Sequence, residues 1–143
     1  MKKTAIFYLV ISFILNFIWE VSQVGLYEPH FNGVLNLVSV HLKATMGDVI
    51  IFLIIYALMG LLLRNVHWIV KDKVMLLVLA AILGFIFSVI VEKYALTTGR
   101  WKYNEIMPII PYIKVGLVPV LQLTILVPLA TFVTRRYAVS QMK

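Results

Sequence analysis

Three carboxylic acids stand inside or at the ends of long apolar stretches: Glu20, Asp48 and Glu92. An ionisable side chain is costly in such surroundings and marks a functional position by default. Each acid has polar neighbours at helical spacing. Asn16, Glu20 and Gln23 follow i, i+4, i+7, and His41, Thr45 and Asp48 repeat that interval. Residues so spaced share one helix face. Ser88 and Glu92 are one turn apart, and Gln122 interrupts the last apolar stretch. A buried carboxyl is disfavoured as an anion, so a proton donor or acceptor near neutral pH is chemically reasonable there. The three acids are therefore the expected catalytic groups. Glu92 or Glu20 serves as acid or base, and Asp48 orients a partner or binds a headgroup. Asn16, Gln23, His41, Thr45, Ser88 and Gln122 are expected to line the site.

A plainer role competes with this one. Buried polar residues also hold small membrane bundles together, each bond contributing on the order of 1 kcal/mol. A glutamate near a helix end can also reach the headgroups. The convergence of polar stripes at similar depth favours a site over either. A metal is conceivable, since imidazole and carboxylates suit zinc or iron. The chain has only His30, His41 and His67, however, and one histidine among carboxylates has no diagnostic metal spacing. No metal and no cofactor is expected. The absence of cysteine excludes disulfides, thiolate metal sites and cysteine catalysis. No phosphate-cradling glycine loop, His-Glu-x-x-His pair or nucleophile elbow is present.

The stretch after Glu92 carries a second signal. It holds Ala95, Gly99, Trp101 and Tyr103, then Pro108, Pro111, Gly116 and Pro119. Trp101 and Tyr103 suit an aromatic belt at the membrane interface. The prolines and glycine impose a fixed, non-helical path, which suits a cap over the acids. In that role Trp101 and Tyr103 would shape the entrance and contact substrate. Glu92, Ala95, Gly99, Trp101 and Tyr103 resemble a pattern of the small membrane-embedded lycopene cyclase domains. The match covers about thirty residues, and Pro119-Val120-Leu121-Gln122 stands where that pattern has an acidic pair. The resemblance implies a helical membrane fold handling an isoprenoid or similar lipid. It does not imply cyclisation, because the protonating acids are absent. The chain also looks like small uncharacterised bacterial membrane proteins with Trp19-Glu20, Gly47-Asp48 and the Gly99-x-Trp101-x-Tyr103 loop.

The elements that must hold these residues follow from composition. Of 143 residues 62% are hydrophobic and 13% charged, where a soluble domain carries about 25% charged. One core of this size cannot hide so much apolar surface, so lipid is the fitting solvent. A spanning helix needs about 20 mostly apolar residues. Sixteen uncharged residues separate Lys3 from Glu20, fifteen separate Asp48 from Arg64, eighteen separate Lys73 from Glu92 and twenty separate Lys114 from Arg135. The second gap is too short alone, so its helix must begin near Leu42 to Ala44. The spans are predicted at about 4–27, 43–66, 74–97 and 115–134, with kinks at Pro119 and Pro128. Segment 28–41 reads as a connection lying along the interface. Open sheets cannot span, because unpaired backbone groups in hydrocarbon are too costly. No small-x-small cleavage site follows the first apolar run, so that helix is expected to remain.

Basic residues set the orientation. Placing the N-terminus inside puts Lys2, Lys3, Arg64, Lys71, Lys73, Arg135, Arg136 and Lys143 on the cytoplasmic side. Lys43, Lys93, Arg100, Lys102 and Lys114 then lie outside. The net charge of +7 accordingly reads as topology and lipid contact, not nucleic-acid binding. The expected fold is an all-α membrane bundle, a single domain over 1–143 in the cell membrane, both termini cytoplasmic. The acids fall in the outer half, above an inner half expected to be almost wholly apolar. The expected function is binding or processing a lipid or isoprenoid. Two alternatives stand beside it: a small oligomeric transporter or ion-conducting protein, and a non-catalytic assembly partner using Gly60 and Gly84 for close helix contact. The expected partners are membrane lipid and a second copy of the chain.

Overall fold

The computed structural model describes residues 2–29, 31–71 and 73–141, and for Lys2 the backbone alone. His30 and Lys143, both read above, lie outside the described residues. Four helices dominate: α1 Lys2–Ser22, α2 Gly33–Leu62, α3 Val74–Thr97 and α4 Leu117–Ser140. All four are long and apolar enough to cross a membrane. A two-residue hairpin, β1 Ile109–Ile110 with β2 Val115–Gly116, sits between α3 and α4.

The span of α3 matches its prediction, and the other three boundaries differ. Helix α1 stops five residues before its expected end at 27. One 3-10 turn follows at Val24–Leu26, and Tyr27 is extended, with φ −112° and ψ 154°. Tertiary pairing captures this stretch. Tyr27 bridges antiparallel to Tyr103. Glu28 N–H donates to the Lys102 carbonyl at 3.0 Å, and Asn104 N–H donates to the Leu26 carbonyl at 2.9 Å.

Helix α2 corrects the prediction most. It is continuous over 30 residues, so the expected interfacial piece at 28–41 is largely helix, and the helix ends at Leu62 and not 66. Gly33 opens it at φ +75°, a conformation without steric cost only for glycine. The Asn36 side chain then accepts from Asn32 N–H at 3.0 Å. At 1.5 Å per residue α2 is about 45 Å long, against about 30 Å of hydrocarbon. Its first turns carry Val34 and Leu35 at 77% and 88% exposure. Lys43, taken as a boundary marker, lies exposed in mid-helix.

Helix α4 runs six residues past its expected end. Arg135 and Arg136 continue it, each guanidinium over the Phe132 ring at 5.4 and 5.2 Å. Pro119 falls in the first turn, where the missing N–H has no helical partner to lose. The expectation of a kink there is therefore withdrawn. Pro128 is interior and leaves the Thr124 carbonyl without its helical bond.

Helix α4 packs against α3 and α1, and α1 also packs on α2, so the helices stand in the order α2–α1–α4–α3. Helices α2 and α3 touch only lightly, leaving a seam. At Gly84 an added Cβ would collide with the Leu123 backbone carbonyl, so this glycine lets α3 approach α4. Gly60 faces Asn65 and Trp68 of its own chain. Both glycines thus serve contacts within the chain and offer no basis for close contact with a partner. The core gathers Tyr8, Phe52, Ile55, Met59, Trp68 and Val127. Trp68 Nε1 donates to the Tyr56 carbonyl at 3.1 Å, anchoring the turn between α2 and α3.

Candidate functional site

The end of α1 brings its polar stripe against α2 and α4. Gln122, in the second turn of α4, is the hub. Its Nε2 donates to Asn16 Oδ1 at 3.0 Å and to Asp48 Oδ2 at 2.9 Å. Its Oε1 accepts from Gln23 Nε2 at 3.0 Å. Gln23 Nε2 also donates to Glu20 Oε1 at 3.0 Å. Asn16 Nδ2 turns back to the Ser12 carbonyl at 2.8 Å. Five of the residues singled out in the sequence therefore form one hydrogen-bonded net. It spans three helices, with Asn16 fully buried.

Glu92, 5% exposed near the end of α3, is held by the capping loop. Its Oε2 accepts from the Tyr103 hydroxyl and, at 3.4 Å, from Trp101 Nε1. The same Tyr103 oxygen accepts Gly116 N–H at 2.9 Å. Trp101 and Tyr103 thus point their polar atoms inward at an acid, as a cap requires. Glu20, Asp48 and Glu92 lie within electrostatic reach of one another. Three anions so close, away from water, repel strongly, so their protonation states are linked.

Tyr27 is the site residue that sequence reasoning missed. It was read as the last residue of the first helix. Its phenol interacts electrostatically with Glu92, Glu20, Tyr103 and Asp48, and its ring lies 5.7 Å from that of Tyr103 and 6.3 Å from that of Trp101. Burial pushes the Tyr27 phenol well above the ordinary tyrosine range, and the neighbouring carboxylates push the same way. Burial does the same to Tyr103, reinforced by its bond to Glu92. Both phenols remain protonated donors throughout the neutral range. The available signal was an aromatic at a helix end two residues before a proline.

Three expected lining residues do other work. The Ser88 hydroxyl donates to the Val120 carbonyl at 3.3 Å and ties α3 to α4. Thr45 Oγ1 donates to the His41 carbonyl at 2.8 Å. His41 Nδ1 lies 2.8 Å from the Leu37 carbonyl, and its ring packs edge-on against Phe31. Among the described residues no group of three or more His, Asp or Glu side chains is placed to hold a metal ion.

Two buried atoms at the site make no hydrogen bond: Gln23 Oε1, an acceptor, and Trp19 Nε1, a donor. Trp19 stands in the last turn of α1 and Gln23 just past its end, where Gln23 N–H donates to the Trp19 carbonyl at 3.1 Å. The far half of the bundle also holds buried polar groups beyond Thr131, the one of them expected from the sequence. Tyr8, Ser12, Thr131 and Thr134 are all buried along α1 and α4, so that half is not wholly apolar. The hydroxyls of Ser12 and Thr131 satisfy themselves on the carbonyls of Tyr8 and Val127 in their own helices. Comparison with family models, with curated proteins and with solved structures finds no match to this chain.

Proposed function

We propose that the chain is a multi-pass membrane protein that binds or processes a lipid or isoprenoid at this acid-lined site. The polar end of that ligand carries a hydroxyl. The observation that carries the reading is the pair of unsatisfied atoms at the end of α1. A hydroxyl is both donor and acceptor. It matches a buried carbonyl oxygen at Gln23 and a buried indole N–H at Trp19, and leaving both unpaired costs on the order of 1–3 kcal/mol each. Glu92 or Glu20 is the acid or base, Asp48 orients, and Trp101 and Tyr103 form the cap. The basic residues at the opposite end support a cytoplasmic location for that end and an outer-half location for the acids. Lipid extracted with the purified protein is expected to contain one enriched hydroxyl-bearing species, absent from Glu92→Gln. A lipid profile equal to that of the bulk membrane sinks the reading.

A transporter or ion-conducting oligomer is the second reading. The buried polar groups Tyr8, Ser12, Thr131 and Thr134 favour it, because they continue the polar line of α1 and α4 away from the acids. Proteoliposome flux measurements decide it, and a monomer without flux disposes of it.

A further inference from the structure

The end of the bundle remote from the acids carries a cleft of about 610 Å³. It lies between the start of α1, the end of α4 and the turn joining α2 to α3. Its walls include Ile69, Tyr56 and the Tyr137 ring, and its polar groups include Lys3, His67 and Gln141. Tyr137 stacks on Phe7 with ring centroids 4.1 Å apart, so one wall is rigid. The Tyr56 hydroxyl donates to the Val66 carbonyl at 3.1 Å and holds the turn in place. Tyr56 also lines a neighbouring cleft, whose polar groups are Arg64 and Asn65. The charged side chains lining the two clefts are Lys3 and Arg64, both cations, while the opposite end of the bundle gathers Glu20, Asp48 and Glu92.

An apolar cleft with a few convergent polar groups is the ordinary form of a small-ligand site. Cationic pockets between spanning helices take anionic headgroups. The first N–H groups of α1 add positive potential at Lys3. We propose that this cleft seats one anionic phospholipid. Lys3 and His67 meet its phosphate, and the acyl chain lies along the apolar wall at Ile69. The site is independent of the acid-lined one and survives if that reading fails.

The test uses the full chain in vesicles of phosphatidylcholine with a minor share of phosphatidylglycerol, extracted in mild detergent and examined by native mass spectrometry. Retained phosphatidylglycerol is expected to exceed its bulk share by about fivefold or more, the scale of a single lysine at a membrane surface. The double variant Lys3→Gln/His67→Gln is expected to fall back to the bulk ratio. Lys3→Arg, which keeps the charge, and Glu92→Gln, at the other end, are expected to retain the enrichment. A wild-type ratio equal to bulk overturns the proposal, as does enrichment that survives the double variant. Protection of the protein by inorganic phosphate alone, in vesicles of pure phosphatidylcholine, also overturns it by pointing to a soluble phosphate ester.

Discussion

Gln122 touches three helices through one side chain, and that sets what its loss should cost. Gln122→Leu leaves Asp48 Oδ2, Asn16 Oδ1 and Gln23 Nε2 each short of a bond. Stranding buried polar atoms costs about 1–3 kcal/mol apiece, so denaturant unfolding in detergent should show a loss of roughly 2–5 kcal/mol. Ser88→Ala removes one long bond to a backbone carbonyl and should cost about 1 kcal/mol or less. Equal losses in the two variants would contradict the hub. Tyr103 carries a pH signature. Its phenol is raised in the folded protein, so the fold holds that proton more tightly than the unfolded chain does. The resulting stability is complete below the unfolded value of about 10 and declines as pH rises beyond it. Tyr103→Phe should make that alkaline decline shallower. A slope unchanged in the variant would place the titration elsewhere.

The helices show where sequence reasoning reached and where it stopped. Helix α3 was legible because Lys73 and Glu92 bracket a long uncharged run. Helix α2 was not, because Lys43 lies exposed in mid-helix and was mistaken for an end. Helix α1 was read too long, because Val24, Leu26 and Tyr27 are apolar enough to continue it. Their backbone instead pairs with residues some eighty positions away, and no local pattern carries that. The acid-side net was largely visible, since it rests on i, i+4, i+7 intervals. The cap was visible in composition, but Tyr27 joined it only through the long-range bridge. Glycines at the helix level divide cleanly. Gly84→Ala drives a methyl into the Leu123 carbonyl and should lower stability by about 1–3 kcal/mol. Gly47→Ala meets nothing within 4 Å and should raise stability by up to about 1 kcal/mol through helix propensity. Paired thermal melts read both, and a destabilised Gly47→Ala would contradict the open space around α2.

At the scale of the whole molecule, the start of α1 and the end of α4 lie at one end of the bundle, with Lys3 and Gln141 lining the same cleft. The loops after α1 and α3 close the other end. Because the chain lacks cysteine, single substitutions report sidedness without background. An impermeant maleimide on sealed, uniformly oriented vesicles should label Lys3→Cys and Gln141→Cys from one side and Lys102→Cys from the other. Labelling of Lys3→Cys and Lys102→Cys from one side would break the topology.

The light contact between α2 and α3 bears on how the proposed lipid ligand would enter. Three helix pairs are closely packed, and the fourth, between the helix of Asp48 and the helix of Glu92, is the loosest side of the bundle. Under the proposed lipid function, a greasy molecule in the bilayer would meet that side without crossing water, its tail among lipids while its head reached the acids. Loading and release would then proceed sideways, at a rate set by how often two helices part. Stapling the aqueous loops together would leave that exchange untouched, whereas a staple between α2 and α3 would slow it.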